Sequence, residues 1–174
     1  GEFQSEDSIL VVHKNGEFYT TNFDLSNHYD PDILCIEKFN PDKVWTAVLY
    51  DADKQNYPYL KRFTFEATTK KQNFLGDNKH TQLILLTCQV YPRIQVDFGG
   101  HDSFREALIL EASDFVGVKS FKAKGKRLTT YTVGQITELE PTRMPEPEPE
   151  EPEKEEEGME EDESQEDDGQ MKLF

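Results

Sequence analysis

The chain has 174 residues, 35 acidic and 19 basic, for a formal charge of −16 with 35% hydrophobic positions. The charge is unevenly spread: Met144 to Phe174 carries 15 Asp/Glu against Lys154 and Lys172, a net of −13, which leaves −3 on the first 143 residues. No apolar run approaches the roughly 20 residues that cross a bilayer, and Gly1 to Asp7 lacks the basic and apolar regions of a signal peptide, so a soluble, unexported protein with no membrane partner is expected.

From the amino end, Ser8 to His13 reads as a strand, and Glu17 to Thr21 returns from it across Lys14-Asn15-Gly16, whose Asn and Gly tolerate the positive φ of a tight hairpin. Ile33 to Glu37 is a third strand. Val44 to Tyr50 and Tyr59 to Phe65 pair across the polar loop Asp51 to Pro58. Ala67 to Leu75 is a candidate short helix. A second series follows: Gln82 to Cys88, Arg93 to Phe98, Ala107 to Glu111, Val116 to Ala123 and Arg127 to Val133.

Hairpin, single strand, hairpin thus occupies residues 8 to 65 and again 82 to 133, with the single strands near Leu34 and Ile109 in matching places. Hairpin centres recur about every 35 to 40 residues, the size of a blade-type all-β repeat. The expectation is an all-β body of about two four-stranded blades over residues 1–143. Two blades alone expose edges and faces, and the chain begins without Met, so a fragment of a longer protein with further blades upstream is expected.

After Leu139 the composition changes. Pro141, Pro145, Pro147, Pro149 and Pro152 alternate with Glu, and the acidic run reaches Asp168. Such a segment buries too little surface to offset its ordering entropy, so residues 144–174 are expected to be a disordered tail.

Few residues invite catalysis. Gly100-His101-Asp102-Ser103 has no GxSxG elbow around it and reads as a polar turn. Asp51-Ala52-Asp53 mimics the start of a calcium loop, yet Asn56 and Arg62 stand where that loop needs Gly and Glu. Cys35 and Cys88 lie apart in apolar segments with no CxxC, which predicts buried, reduced thiols in a reducing compartment and no metal site. No phosphate-cradling glycine loop is present.

The basic residues are more telling. Lys119, Lys122, Lys124, Lys126 and Arg127 fall within nine positions, with Phe121 and Tyr131 interleaved and a turn expected at Gly125. Concentrated positive charge on a nearly neutral body is the footprint of phosphate contact. Lys61-Arg62 ends the matching hairpin of the first repeat and Lys70-Lys71 follow, so the expectation is one basic rim. The alternative is a solvated edge kept from aggregation by its lysines.

The residues also carry a resemblance. Leu10-Val11-Val12-His13-Lys14-Asn15-Gly16, then Val44 to Phe65 with Lys61-Arg62-Phe63, resemble the blade repeats of the carboxy-terminal domain of bacterial gyrase and topoisomerase IV A subunits. Val118 to Thr130, followed by Glu138-Leu139-Glu140-Pro141-Thr142-Arg143, is similar to the final blade of a topoisomerase IV A-type subunit. The resemblance implies a β-pinwheel that binds and bends double-stranded DNA for a cytoplasmic, nucleoid-associated type IIA topoisomerase. It implies as partners the other A-subunit domains and the ATPase B subunit. The strand-cleaving tyrosine, ATP and Mg2+ belong to other parts of such an enzyme, so this chain alone is expected to be neither catalytic nor cofactor-bound. The Gln-Arg-Arg-Gly-Gly-Lys-Gly type box of that family does not occur in the sequence.

Two expectations concern the tail. A tethered polyanion beside a cationic rim would compete with DNA as an internal brake, the alternative being a tail that serves solubility alone. Its tip, Gln170-Met171-Lys172-Leu173-Phe174, resembles the sliding-clamp binding pentapeptide, with Gln170, Met171, Leu173 and Phe174 as docking residues. The competing reading of the chain is a propeller-like protein-interaction module with an acidic, chaperone-like tail.

Overall fold

Asn15 and Gly16 close the first hairpin as their chemistry dictates. Gly16 takes φ +89°, and Asn15 Oδ1 accepts the Glu17 amide at 3.0 Å. The structure, a computed structural model, describes residues 8–22 and 31–146. The hairpin is β1 (Ser8–His13) with β2 (Glu17–Asn22), in register from Ser8 opposite Asn22 to Val12 opposite Phe18. β3 (Ile33–Lys38) pairs with the other edge of β1. β4 (Val44–Asp51) turns through a 3-10 segment, Ala52–Lys54, into β5 (Tyr57–Thr64). There Asp51 Oδ1 accepts the Asp53 amide at 2.9 Å, and Gln55 and Asn56 adopt positive φ, so the acidic loop is a self-capped turn.

The remaining elements are β6 (Gln72–Asn73), β7 (Gln82–Thr87), β8 (Arg93–Phe98), a 3-10 turn at Gly100–Asp102, β9 (Leu108–Glu111), a single helical turn α1 (Ala112–Phe115), β10 (Val118–Ser120), β11 (Lys126–Arg127) and β12 (Val133–Leu139). The chain is all-β, with several sheets, mostly antiparallel, and almost no helix. Sheet 1 runs β3-β1-β2-β6, sheet 2 runs β10-β5-β4-β7 with β11 also on β5, and sheet 3 runs β12-β8-β9.

Sheet 2 lies between the other two, which explains its sequence. Leu10, Val12 and Phe18 of sheet 1 meet Trp45, Ala47, Leu49 and Phe63 of sheet 2 in one core, joined by Phe65 just past β5 and by Phe74, Leu75 and Phe121. On the opposite face, Val48 and Leu60 meet Ile94, Val96 and Ile136 of sheet 3, with Ala112 and Leu128. A strand covered on both faces reads as a near-continuous apolar run, and β4 is buried from Trp45 to Leu49.

Several expected elements move. The body divides among three sheets, where the sequence reading has two blades. Gln82–Thr87 does not pair with Arg93–Phe98 as a hairpin: β7 completes sheet 2 along the free edge of β4, while β8 pairs with β9 and β12. Val116–Ala123 and Arg127–Val133 do not pair with each other either. They shrink to β10 and β11, which lie end to end along β5, the first parallel and the second antiparallel. Ala67–Leu75 is no helix, because its backbone bonds to β2: the Thr20 amide donates to the Thr68 carbonyl at 2.7 Å and the Thr68 amide to Thr20 Oγ1 at 2.9 Å.

β12 is absent from the sequence reading. Its register shifts between Val133 and Gln135, and there a Cβ on Gly99 would lie 3.0 Å from the Gly134 Cα, so two glycines allow the backbones to close together.

Candidate nucleic-acid interface

The chain runs along β5 in β10, from Val118 opposite Arg62 to Ser120 opposite Thr64, then returns in β11 with Lys126 opposite Leu60. Between them the loop 121–125 arches past Lys61. Gly125 makes the return possible: its φ is +86°, and a Cβ there would meet the Leu60 carbonyl oxygen at 2.6 Å. Phe121 anchors the other end. It is 3% exposed and meets the Phe18 ring edge-on at 4.9 Å.

With its backbone held this way, the loop turns its charged side chains outward. Lys119, Lys122, Lys124, Lys126 and Arg127 are all exposed. Lys124 Nζ lies 3.4 Å from Asp53 Oδ2, while Lys126 Nζ sits 4.4 Å from the Phe115 ring and donates to the Phe115 carbonyl at 3.4 Å. Arg127 lies over Tyr57 at 5.3 Å. The Asn78 side chain, then Lys124, hold the Asp53 carboxyl below the usual range, so Asp53 is an ionised counter-charge to the loop. Exposed ion pairs and cation-π contacts of this kind are weak, so they leave the loop cations open to exchange for another anion.

The other expected rim residues divide. Lys61 is a correction. It is 3% exposed, and its ammonium donates to the carbonyls of Phe74, Phe121 (2.6 Å) and Ala123 (3.2 Å), so it is not available to a phosphate. Burial, then the neighbouring charge of Lys124, lower its pKa to about 8, with Asp51 opposing. Arg62 is half-buried and donates to Thr46 Oγ1 and to the Val90 carbonyl, each at 3.3 Å.

Lys70 and Lys71 are exposed, Lys71 lying 4.0 Å from Glu17. They precede Gln72 and Asn73, which line one cleft of about 370 Å3 together with Lys122 and Lys124. Phe121 is core, not a stacking platform, whereas Tyr131 is exposed and carries the Arg105 guanidinium at 3.6 Å.

Sequence reading missed Lys54, which is exposed and shares a small recess with Arg127, Tyr57 and Tyr59. Its place beside Arg127 depends on the pairing of β11 with β5, which no local pattern announces. The cysteines are a second correction, since both are free but Cys35 is half-buried and Cys88 exposed. Burial, then Glu37, push the Cys35 thiol up to about 11. The Gly100 to Ser103 segment is the turn expected, with Asp102 accepting from Arg105 Nε at 3.0 Å and the Thr132 amide at 2.8 Å. Gln170, Met171, Leu173 and Phe174 lie outside the described residues.

Among the described residues, no group of three or more His, Cys, Asp or Glu is placed to hold a metal, and no helix is long and apolar enough to cross a membrane. No curated protein matches the chain. Residues 1–140 match the family described as topoisomerase C-terminal domain, Bacteroidota, so the chain belongs to that family of bacterial topoisomerase domains.

Proposed function

We propose that this chain is the DNA-binding and DNA-bending C-terminal domain of a type IIA topoisomerase A subunit, of the gyrase or topoisomerase IV kind. It acts with the rest of that subunit and the ATPase B subunit in the cytoplasm, at the nucleoid. Chemistry, ATP and Mg2+ belong to the other parts of the enzyme. The observation that carries the reading is the loop from Lys119 to Arg127, five exposed cations whose backbone is fixed at both ends. Bending a short duplex costs on the order of 1–6 kcal/mol, and counterion release at such an array offsets it without reading bases.

The test is duplex affinity as a function of salt. For each phosphate that the protein ceases to neutralise, the slope of log affinity against log salt falls by about 0.9. Reversing Lys122, Lys124 and Arg127 to Glu is expected to weaken binding at low salt by more than about tenfold and to flatten that slope by about 2 to 3. Equal affinity and slope would remove the loop from the interface. They would favour the protein-interaction reading, for which Phe104, 76% exposed beside Arg105 and Tyr131, is the natural anchor.

A further inference from the structure

β5 alternates, so Lys61 and Phe63 share the face turned toward sheet 1, and Phe65, just past the strand's end, packs in the same core. An apolar residue belongs there, and a lysine brings a desolvated charge instead. Its stem lies against aromatic rings, with Nζ 5.1 Å from the Phe63 centroid and 5.7 Å from that of Phe74. Its head reaches carbonyls 13, 60 and 62 residues away in sequence. Neither β10 nor β11 pairs with β5 at Lys61 itself, since β10 stops at Arg62 and β11 at Leu60. The ammonium thus supplies ties at the interval where the strand ladder supplies none.

We infer that Lys61 is the positioning residue of the basic loop, tying the Phe121 and Ala123 carbonyls, together with the Phe74 carbonyl that follows Lys70-Lys71, to β5. The two basic segments are thereby set against each other, and Lys119 to Arg127 are presented as one ordered array. The inference rests on the reading of that loop as a DNA interface. A buried charge of this kind contributes little net stability, because its desolvation opposes its bonds, so its effect is on local order. Side-chain length explains why a lysine does this from a strand: four methylenes span the core face before the donors begin.

Lys61→Met keeps the stem and removes the donors. In the full chain, its melting temperature is expected within a few degrees of wild type or above it. Amide hydrogen exchange over residues 121–125 is expected to be at least about tenfold faster while β4 stays protected, and duplex affinity at low salt to fall about fivefold. Lys61→Gln, which retains two donors on a shorter stem, is the second variant and is expected to fall between.

Unchanged loop exchange in Lys61→Met overturns the inference, as does acceleration spread evenly over all amides, the signature of a merely structural role. If only the Gln variant folds, the same two patterns decide from it: acceleration confined to 121–125 supports the inference and an even spread overturns it. A variant with Lys119, Lys122, Lys124 and Lys126 changed to Ser separates the two readings. If it retains wild-type affinity, the DNA interface fails whatever the exchange of Lys61→Met shows. If it loses affinity while Lys61→Met keeps it, only the positioning role fails.

Discussion

At the scale of single residues, Lys61 shows where a charge pattern misleads. Read as half of a Lys-Arg pair it suggests a rim, yet its neighbours Phe63 and Phe65 at even spacing put it on the buried face, and that alternation was legible in the sequence. What was not legible is its destination, because the three carbonyls come from segments that only the fold brings together. Its titration offers a check. The pKa stands near 8 in the fold against 10.5 for the unperturbed group, because burial and Lys124 disfavour the charged form. Asp51, Asp53 and Asp77 face the same cleft with Lys122 and Lys124, and the charge of Asp51 opposes the shift. Between those two values the unfolded chain binds more protons at this position than the folded one, so the contribution of Lys61 to stability rises with pH through that window and is flat below it. The unfolding free energy of wild type relative to Lys61→Met is expected to grow by about 1 kcal/mol from pH 8 to pH 9, measured by urea titration at each pH. A pH-independent difference would place an unperturbed ammonium at Lys61.

At the scale of elements, the runs that read clearly were apolar or alternating segments bounded by turn residues. β1, β2, β3, β4, β7 and β8 fall within a residue of their expected bounds, β2, β3 and β8 by alternation and β1 and β4 as buried apolar runs. β10 and β11 are exposed along almost their whole length and owe their strand character to β5, so their sequence carries charge and turn signals instead. β12 has one buried side chain, Ile136, and its one-residue register shift lies at the Gly99–Gly134 approach, a contact between positions 35 apart. The loop between β10 and β11 inverts the expectation most. Phe121, which the sequence reading only interleaves with the lysines, packs edge-on against Phe18 and makes the loop part of the first core. Phe121→Ala is therefore expected to cost about 3–5 kcal/mol of stability, the usual penalty for deleting a buried phenyl ring. Chemical denaturation measures it, and a loss below about 1 kcal/mol would mean that the loop packs on the surface instead.

At the scale of the whole molecule, the charge distribution acquires a geometry. β12 returns the chain to α1, where Arg143 Nη2 lies 2.7 Å from Asp114 Oδ2 and Thr142 Oγ1 donates to Glu111 at 3.3 Å. The residue after Asp114 is Phe115, whose ring and carbonyl receive Lys126. The acidic segment, −13 from Met144 onward, thus starts next to Arg143, which pairs with the residue before Phe115, the residue that Lys126 of the basic loop touches. Carboxylates tethered to that face would compete with phosphates for the same cations if the loop contacts DNA. The competition is electrostatic, so salt screens it, and the Debye length shrinks from about 10 Å at 0.1 M to about 3 Å at 1 M. Removing everything after Arg143 is expected to tighten duplex binding several-fold at 50 mM salt and to make little difference at 0.5 M, read by fluorescence anisotropy on one labelled duplex. The family match ends at residue 140 and β12 at Leu139, so the truncation leaves the folded body whole. Arg143 stays in the truncated chain, which keeps its ion pair with Asp114 and isolates the loss of acidic charge from any loosening of α1. Equal affinity of the two forms at low salt would mean that the acidic segment does not reach the loop, and the charge on the first 143 residues alone would then govern DNA binding.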